Sequence, residues 1–169
     1  VHRFSMWCEQ RDAEPCYDNF AWFLNGATDA LLAAQNLCVE AEAHGLGICY
    51  LGTTIYTAEE IARILDLPKG VIPVTTIVVG HPDESPELTD RLPLDAVVHC
   101  EKYHHYTSSE IDELWAEKET SEETRRLLEE NGLPNLAQIF TRNRYRAEDN
   151  LAISRNYFAL LKKQGFFNN

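Results

Sequence analysis

The stretch Gly45-Leu-Gly-Ile-Cys-Tyr-Leu-Gly52 decides the fold, because it is a short apolar run between two segments with helical patterns. Gly45 stands where a helix favours a left-handed C-terminal cap. Gly47 and Gly52 let the backbone approach another group closely, since glycine has no Cβ atom. A helix cap followed by a bulge in a strand explains the same glycines equally well, so both interpretations stay open.

The segment before this run predicts a helix over residues 28–44, capped at its start by Thr28 or Asp29. Small and apolar residues recur at helical spacing on one face of this helix, namely Ala30, Ala34, Leu37, Cys38 and Ala41. Residues 3–9 are bulky and alternate loosely, which predicts a strand joined to the helix by a turn-rich connection.

The segment after the run begins with Thr57-Ala-Glu-Glu60, a capping box that predicts a helix ending before Pro68. Residues 71–80 are almost all β-branched and predict a strand in the centre of its sheet. Further capping boxes begin at Thr107 and Thr120, and a last helix is expected over residues 148–163. Two strands and about five helices indicate a mixed α/β chain, in which so small a sheet is incomplete by itself.

The composition of the chain limits its partners. The 169 residues include 27 Asp and Glu against 15 Lys and Arg, for a formal net charge of −12. This charge disfavours nucleic acid and anionic membrane surfaces as partners, and no apolar run approaches the ~20 residues of a spanning helix. The five cysteines form no CxxC pair, which predicts free thiols in a reducing cytoplasm.

Residues 131–169 carry 6 bases against 2 acids, in contrast to the acidic remainder of the chain. This basic tail is expected to meet either an anionic ligand or the protein's own acidic face. In the acidic loop before it, Arg91 is a lone guanidinium, which suits a phosphate because it can donate two parallel hydrogen bonds. A surface ion pair of Arg91 with Asp90 or Asp95 is the alternative.

Sequence motifs for nucleophilic, phosphate-loop or metallopeptidase chemistry are absent, so no catalytic acid or nucleophile is assigned. His104 and His105 are adjacent and have no further ligands nearby in the sequence, so no metal site is expected.

The order of the segments resembles the flavin-dependent nitroreductase family, above all the branch with a long C-terminal extension that includes NADPH-preferring oxygen-insensitive nitroreductases. The resemblance lies in the helix Asp29-Ala-Leu-Leu-Ala-Ala-Gln-Asn36, the run of residues 45–52, Leu65-Asp-Leu-Pro68, the strand with His81-Pro-Asp, and Asp90-Arg-Leu-Pro93. It implies an α+β nitroreductase-like fold, with a central, mostly antiparallel sheet flanked by helices. Residues 1–100 would form the core and residues 101–169 a helical C-terminal extension of the same domain.

The resemblance also implies an FMN protein, in which the backbone at Tyr50, Leu51 and Gly52 lies against the polar edge of the flavin near N5 and O4. It places the FMN phosphate at Arg91 and Thr89, where Thr89 replaces a lysine that is usual in the family. The helical N-terminal portion of the family, with its Arg-rich phosphate motif, has no counterpart in this sequence and is expected to be missing. Because family members are intertwined homodimers, a homodimer is expected here.

The expected function is an FMN-dependent NAD(P)H oxidoreductase that reduces a small-molecule acceptor, a nitroaromatic or a quinone, by ping-pong hydride transfer through flavin N5. Arg142 and Arg144 are candidates for the phosphates of NAD(P)H on charge alone, and a structural role explains them equally well. Two alternatives stay open: a flavin reductase of the same fold, and a flavin-free module whose acidic helices bind a partner.

Overall fold

The computed structural model describes residues 1–167. Its helices and strands, in chain order, are α1 (His2–Glu9), α2 (Phe20–Ala43), β1 (Gly47–Leu51), α3 (Ala58–Ile64), β2 (Thr76–Gly80), α4 (Ser108–Thr120), α5 (Glu122–Asn131), α6 (Leu136–Ile139) and α7 (Ala147–Lys163). Two 3-10 helices, Gly52–Tyr56 and Leu94–Ala96, and a π-helical turn at Phe140–Arg144 complete the described elements. The chain divides into two compact units, Val1–Glu84 with the residues from Leu151 onward, and Ser85–Asn150.

The sheet of the first unit consists, over residues 1–167, of two antiparallel strands. Gly47 pairs with Gly80 and Leu51 with Thr76, so β1 and β2 match along their whole length. The prediction of a strand from residue 71 is wrong for its first half, because Pro73 has no N–H to donate to a ladder. The prediction that this strand is central is also wrong within the described chain, where Val78 and Val79 are exposed.

The first segment is a helix, α1, and the prediction of a strand over residues 3–9 is wrong. In a strand Phe4 and Trp7 would lie on opposite faces, whereas one turn of helix brings their rings together at 5.4 Å. The Phe4 ring also packs 4.9 Å from that of Tyr17 and 6.4 Å from that of Trp22. Aromatic packing on one side of the segment therefore outweighs its bulky, strand-like composition.

Helix α2 begins eight positions before the predicted start at residue 28, because Asn19 provides the N-cap. The Asn19 side chain accepts a hydrogen bond from the Trp22 amide at 3.3 Å. Ring contacts of Phe20 with Phe167 and of Phe23 with Phe166 hold the first turns against the end of the chain. The helix ends as predicted, and Gly45 follows it with a positive φ of 74°.

The core of the first unit lies between α3 and α7. Ala58, Ala62 and Leu160 are buried there, and Leu67, Ile72 and Tyr157 pack against them. The Tyr157 hydroxyl donates to the Pro73 carbonyl at 2.9 Å, and burial raises the pKa of Tyr157 to about 12. Helix α3 is confirmed, but the predicted cap is wrong, since Thr57 stands at its N-cap without a side-chain cap hydrogen bond.

The second unit is helical, with an irregular segment before α4. The capping box at Thr107 is confirmed, because Thr107 Oγ1 accepts from the Glu110 amide and Glu110 Oε2 accepts from the Thr107 amide. The capping box predicted from Thr120 is wrong, since Ser121 is the residue that caps α5. Thr124, Leu136 and Ile139 are the buried residues of this unit.

These elements confirm the α+β class. The predicted division after residue 100 does not coincide with the limits of the compact units, and the assignment of residues 101–169 as an extension stays a prediction. All five cysteines are free, as expected, with Cys8 and Cys38 buried and the other three exposed. Across residues 1–167, none of the helices combines the length and the apolar character that crossing a bilayer demands.

Candidate functional site

The turn that follows β1 contains the first group of predicted site residues. Leu51 ends the strand and Gly52 opens a 3-10 helix, whose first amides have no acceptor within that helix. Thr54, which is buried, holds the turn, because its Oγ1 lies 2.9 Å from the Leu51 carbonyl oxygen and 2.9 Å from Thr76 Oγ1. The hydroxyl donates to the carbonyl, so the Leu51 carbonyl is satisfied inside the unit.

Open space surrounds Gly52. A Cβ atom at this position would have no neighbouring atom within 4 Å, and the φ of Gly52 lies outside the left-handed region. Neither backbone strain nor a close neighbour among the described residues therefore requires glycine here. Any group that packs so closely against Gly52 that a Cβ atom would clash with it lies outside the described residues.

The Tyr50 side chain is occupied within the first unit. Its hydroxyl donates to Gln35 Oε1 of α2 at 3.3 Å, and interaction with the buried Cys38 thiol, followed by desolvation, raises the pKa of Tyr50. Tyr50 therefore faces α2, and its backbone rather than its ring is available at the predicted site.

The opposite face of the strand pair is uncovered over residues 1–167. Alternation along β1 places Cys49 and Leu51 on that face, and the register places Val78 beside Cys49. All three side chains are exposed. The unit thus presents an apolar patch of sheet next to the Leu51–Gly52 turn.

The second group of predicted residues lies in the irregular loop of the second unit. Arg91 Nη1 donates to the Asp90 carbonyl at 2.9 Å, to the Thr89 carbonyl at 3.2 Å, and to Thr89 Oγ1. The alternative that Arg91 forms a surface ion pair with Asp90 or Asp95 is not what the structure shows, since Arg91 has no carboxylate partner among the ion pairs of residues 1–167.

Asp90 is instead bound by Lys118 of α4. Lys118 Nζ donates to Oδ1 at 2.9 Å and to Oδ2 at 2.6 Å, across 28 positions of sequence. The Lys118 ammonium holds the pKa of Asp90 below its ordinary value, and Arg91 adds a smaller effect in the same direction. The negative charge next to Arg91 is therefore already neutralised by a third residue.

A cleft of about 590 Å³ in the second unit brings several of these residues together. Its walls include Thr89, Asp90, Arg91, Lys118, Phe140 and Arg144. The Arg144 guanidinium lies 5.3 Å from the centre of the Phe140 ring, a cation–π contact that orients it. Arg142 is exposed and does not line this cleft, so the structure separates the two arginines that the sequence grouped.

Sequence analysis missed Lys118 and Phe140 as residues of this cleft. Lys118 stands between Glu117 and Glu119 in a run that is rich in acidic residues. A single lysine inside such a run is a signal, although its partner Asp90 is too distant in sequence to predict. Among residues 1–167 the structure contains no cluster of side chains suited to holding a metal ion.

The sequence model of the nitroreductase family matches residues 23–81, which include β1, the Leu51–Gly52 turn and β2. The chain belongs to the nitroreductase family. Curated relatives described as NADPH-dependent oxidoreductases, from strains of Staphylococcus aureus, are 43% identical over 97 residues. That alignment covers 56% of this chain and only 39% of the relative.

Solved structures agree with the family assignment. A candidate oxidoreductase from Bacteroides fragilis is 47% identical, with a TM-score of 0.94, and the match covers 98% of this chain and 68% of the other. The NfrA1 nitroreductase from B. subtilis is 26% identical, with a TM-score of 0.74, over 99% of this chain and 67% of the other. The nitroreductase fold expected from the sequence is confirmed.

This nitroreductase chain holds its predicted site residues in two groups. Tyr50, Leu51 and Gly52 belong to the first unit and lie within the family match. Thr89, Arg91, Arg142 and Arg144 belong to the second unit and lie beyond that match. The roles of both groups stay predictions.

Proposed function

We propose that the protein is an FMN-dependent NAD(P)H oxidoreductase that reduces nitroaromatics or quinones. The observation that carries the proposal is the open turn at Gly52, where no group among the described residues requires a glycine, inside the segment that matches the family. The names of the S. aureus relatives support NADPH as the electron donor.

The Leu51–Gly52 turn fits the polar edge of a flavin. The amides that open the 3-10 helix are hydrogen-bond donors, and donors held by a rigid backbone stabilise charge that develops on a group beside them. Open space at Gly52 allows a planar ring to approach the backbone. Thr54 keeps the turn in place, so these donors are positioned before any ligand binds.

Arg91 and Thr89 fit the phosphate of FMN. Arg91 is exposed and free of carboxylate partners in the described chain, and guanidinium groups bind phosphate oxygens with paired hydrogen bonds. The Thr89 hydroxyl accepts from Arg91 through its oxygen and keeps its own proton to donate. Arg91 and the Thr89 hydroxyl thus offer two donors, of which the hydroxyl replaces a lysine that is usual in the family.

The electron donor and acceptor are small molecules in this proposal. When bound, FMN supplies hydride transfer at N5, from NAD(P)H and then to the acceptor in a ping-pong sequence. Arg144, which lines the cleft, and Arg142, which does not, would bind the phosphates of NAD(P)H by charge.

A homodimer is part of the proposal. Helix α2 exposes Leu31, Leu32, Leu37 and Val39, and the sheet face with Leu51 and Val78 is also uncovered. Apolar surface of this extent is typical of an interface with another chain or another segment. A second copy covering it is the arrangement that the family resemblance implies.

The test is flavin binding by the purified full chain. A yellow protein with an absorbance band near ~450 nm, which releases FMN on denaturation, supports the proposal. A colourless protein that does not bind added FMN contradicts it and favours the flavin-free module. With flavin bound, parallel reciprocal plots for NADPH and acceptor support the ping-pong sequence, and intersecting plots contradict it. Free flavin as the preferred acceptor would identify a flavin reductase.

Arg91→Ala tests the phosphate role separately. We expect about tenfold weaker FMN binding, since a charge-assisted hydrogen-bond pair is lost. Riboflavin, which has no phosphate, should bind the variant and the parent equally. Arg125→Ala, at an exposed position of α5, is the matched control and should bind FMN as the parent does. Unchanged FMN binding by Arg91→Ala contradicts the assigned role.

A further inference from the structure

The Asp90–Lys118 pair stands out among the contacts of the loop that contains Arg91. Residues 81–93 form no helix or strand, and Leu88 within them is 99% exposed. Within the described chain, the hydrogen bonds that link residues 83–92 to another element are the two from Lys118 to Asp90. Lys118 therefore binds one particular side chain, that of Asp90, in a loop that has few other contacts.

The identity of that side chain matters because Asp90 is the nearest competitor for Arg91. A carboxylate adjacent in sequence can form with the guanidinium the same paired hydrogen bonds that a phosphate forms. In the structure the guanidinium contacts only the backbone carbonyl of Asp90, while both carboxylate oxygens face Lys118 Nζ. Lys118 thus binds the competing carboxylate of Asp90, and the Arg91 guanidinium stays available for an anion from solution.

Lys118 is suited to this task. Its side chain is 35% exposed, less than the 53% of Asp90, so packing restricts its movement. Both residues and Arg91 line the same cleft of the second unit.

We propose that Lys118 is a positioning residue for anion binding at Arg91, and that it acts by binding Asp90 and keeping that carboxylate away from the guanidinium. The inference rests on the proposed binding of the FMN phosphate at Arg91. It assigns to an acidic helix a role in cofactor binding, and it explains how one arginine can bind an anion in a loop with acidic neighbours.

The test measures dissociation constants for FMN and riboflavin by flavin fluorescence, on the full chain and on Lys118→Met, Asp90→Asn and the double variant. We expect Lys118→Met to weaken FMN binding about two- to fivefold, the range for an exposed ion pair, and to leave riboflavin binding unchanged. Asp90→Asn should keep the parent affinity for FMN, because the competitor is gone. The double variant should match Asp90→Asn, since Lys118 then has no carboxylate to hold.

Two controls accompany the cycle. Lys118→Arg should restore the parent ratio of FMN to riboflavin affinity, and Lys102→Met, an exposed lysine of the same unit, should not alter it. If Lys118→Met does not fold, Lys118→Gln takes its place in the cycle, with the same expected results for FMN and riboflavin.

Three outcomes overturn the proposal. If Lys118→Met weakens FMN binding equally in the parent and in the Asp90→Asn background, Lys118 contacts the phosphate directly. If Asp90→Asn weakens FMN binding as much as Lys118→Met does, the ion pair holds the loop in place instead. An unchanged FMN-to-riboflavin ratio in Lys118→Met means that it has no role. Failure of the parent chain to bind FMN is a different result, which overturns the proposed function itself.

Discussion

In the first unit, the Leu51–Gly52 turn is set by strand pairing and by the buried Thr54, whereas in the second unit the Arg91 loop has no regular structure and is linked to a helix by an exposed ion pair. The first arrangement presents backbone amides, whose positions do not depend on rotamers. The second presents a long charged side chain, whose availability depends on its neighbours. The two candidate sites can therefore be altered separately, by substitutions that change packing in the first unit and by substitutions that change charge in the second.

The largest expected effect is on the packing of the first unit. Leu160→Ala removes a side chain that is 3% exposed between α3 and α7, and we expect a loss of about 2–5 kcal/mol in the free energy of unfolding. Chemical denaturation measures this loss. The matched control is Leu151→Ala on the same helix, where the side chain is 55% exposed and the change should stay within about 0.5 kcal/mol. Equal losses would show that this packing does not stabilise the unit.

The second prediction concerns the open turn. Gly52→Ala should leave the free energy of unfolding within about 0.5 kcal/mol, because the added Cβ meets nothing within the described chain. It should weaken FMN binding by about 1–3 kcal/mol if a ring lies against this backbone, as over-packing of a close contact does. Gly80→Ala is the control, since its Cβ is equally unhindered. Identical FMN affinities for the two variants would exclude close approach at Gly52.

The third prediction separates the two arginines of the basic stretch. Arg144→Ala should raise the KM for NADPH about three- to tenfold, because Arg144 lines the cleft and is oriented by Phe140. Arg142→Ala should raise this KM less, since Arg142 lies outside the cleft wall. Steady-state kinetics at a fixed acceptor concentration measures both. A larger effect at Arg142 would place the dinucleotide outside this cleft.

The smallest effect concerns pH and the second unit. Hydrogen bonds from the Thr107 backbone and hydroxyl, with a smaller contribution from His104, lower the pKa of Glu110 from 4.5 to about 2. Because the folded state lowers this pKa, the contribution to stability is present above pH 4.5 and is lost as the pH falls towards 2.

Glu110→Gln keeps the capping-box geometry but removes the titration. Between pH 6 and pH 3, the midpoint of denaturation of the parent should therefore fall relative to that of this variant. Glu113→Gln, whose side chain makes no cap hydrogen bond on α4, should follow the parent. Parallel pH profiles for the parent and Glu110→Gln would show that the cap contributes no pH dependence.

Local signals predicted those elements that local interactions stabilise. The Thr107 capping box and the end of α2 at Gly45 depend on residues within one turn of each other, and both were predicted correctly. The strand predicted at residues 3–9 failed, because contacts of Phe4 with Tyr17 and Trp22 select a helix. The early start of α2 was missed because the packing that supports its first turns involves residues at the other end of the chain.

The candidate site divides in the same way. The ordered segments of residues 29–93 sufficed to identify the nitroreductase family, because each is a short-range pattern and their order is specific, and the family model matches residues 23–81. The ion pair of Asp90 with Lys118 could not be predicted, since Lys118 lies 28 positions away and the adjacent Arg91 was an equally good partner for the carboxylate.

By itself, the sequence determined the family, the α+β class and the positions of α3, α4 and α7, and it supplied the residues that are proposed to face a flavin and its phosphate. Only the tertiary structure decided that Gly52 is open, that the Asp90 carboxylate pairs with Lys118 rather than with Arg91, and that Arg144 rather than Arg142 lines the cleft. The reason is that propensity and capping act over a few residues, whereas exposure and charge pairing depend on which distant segments meet.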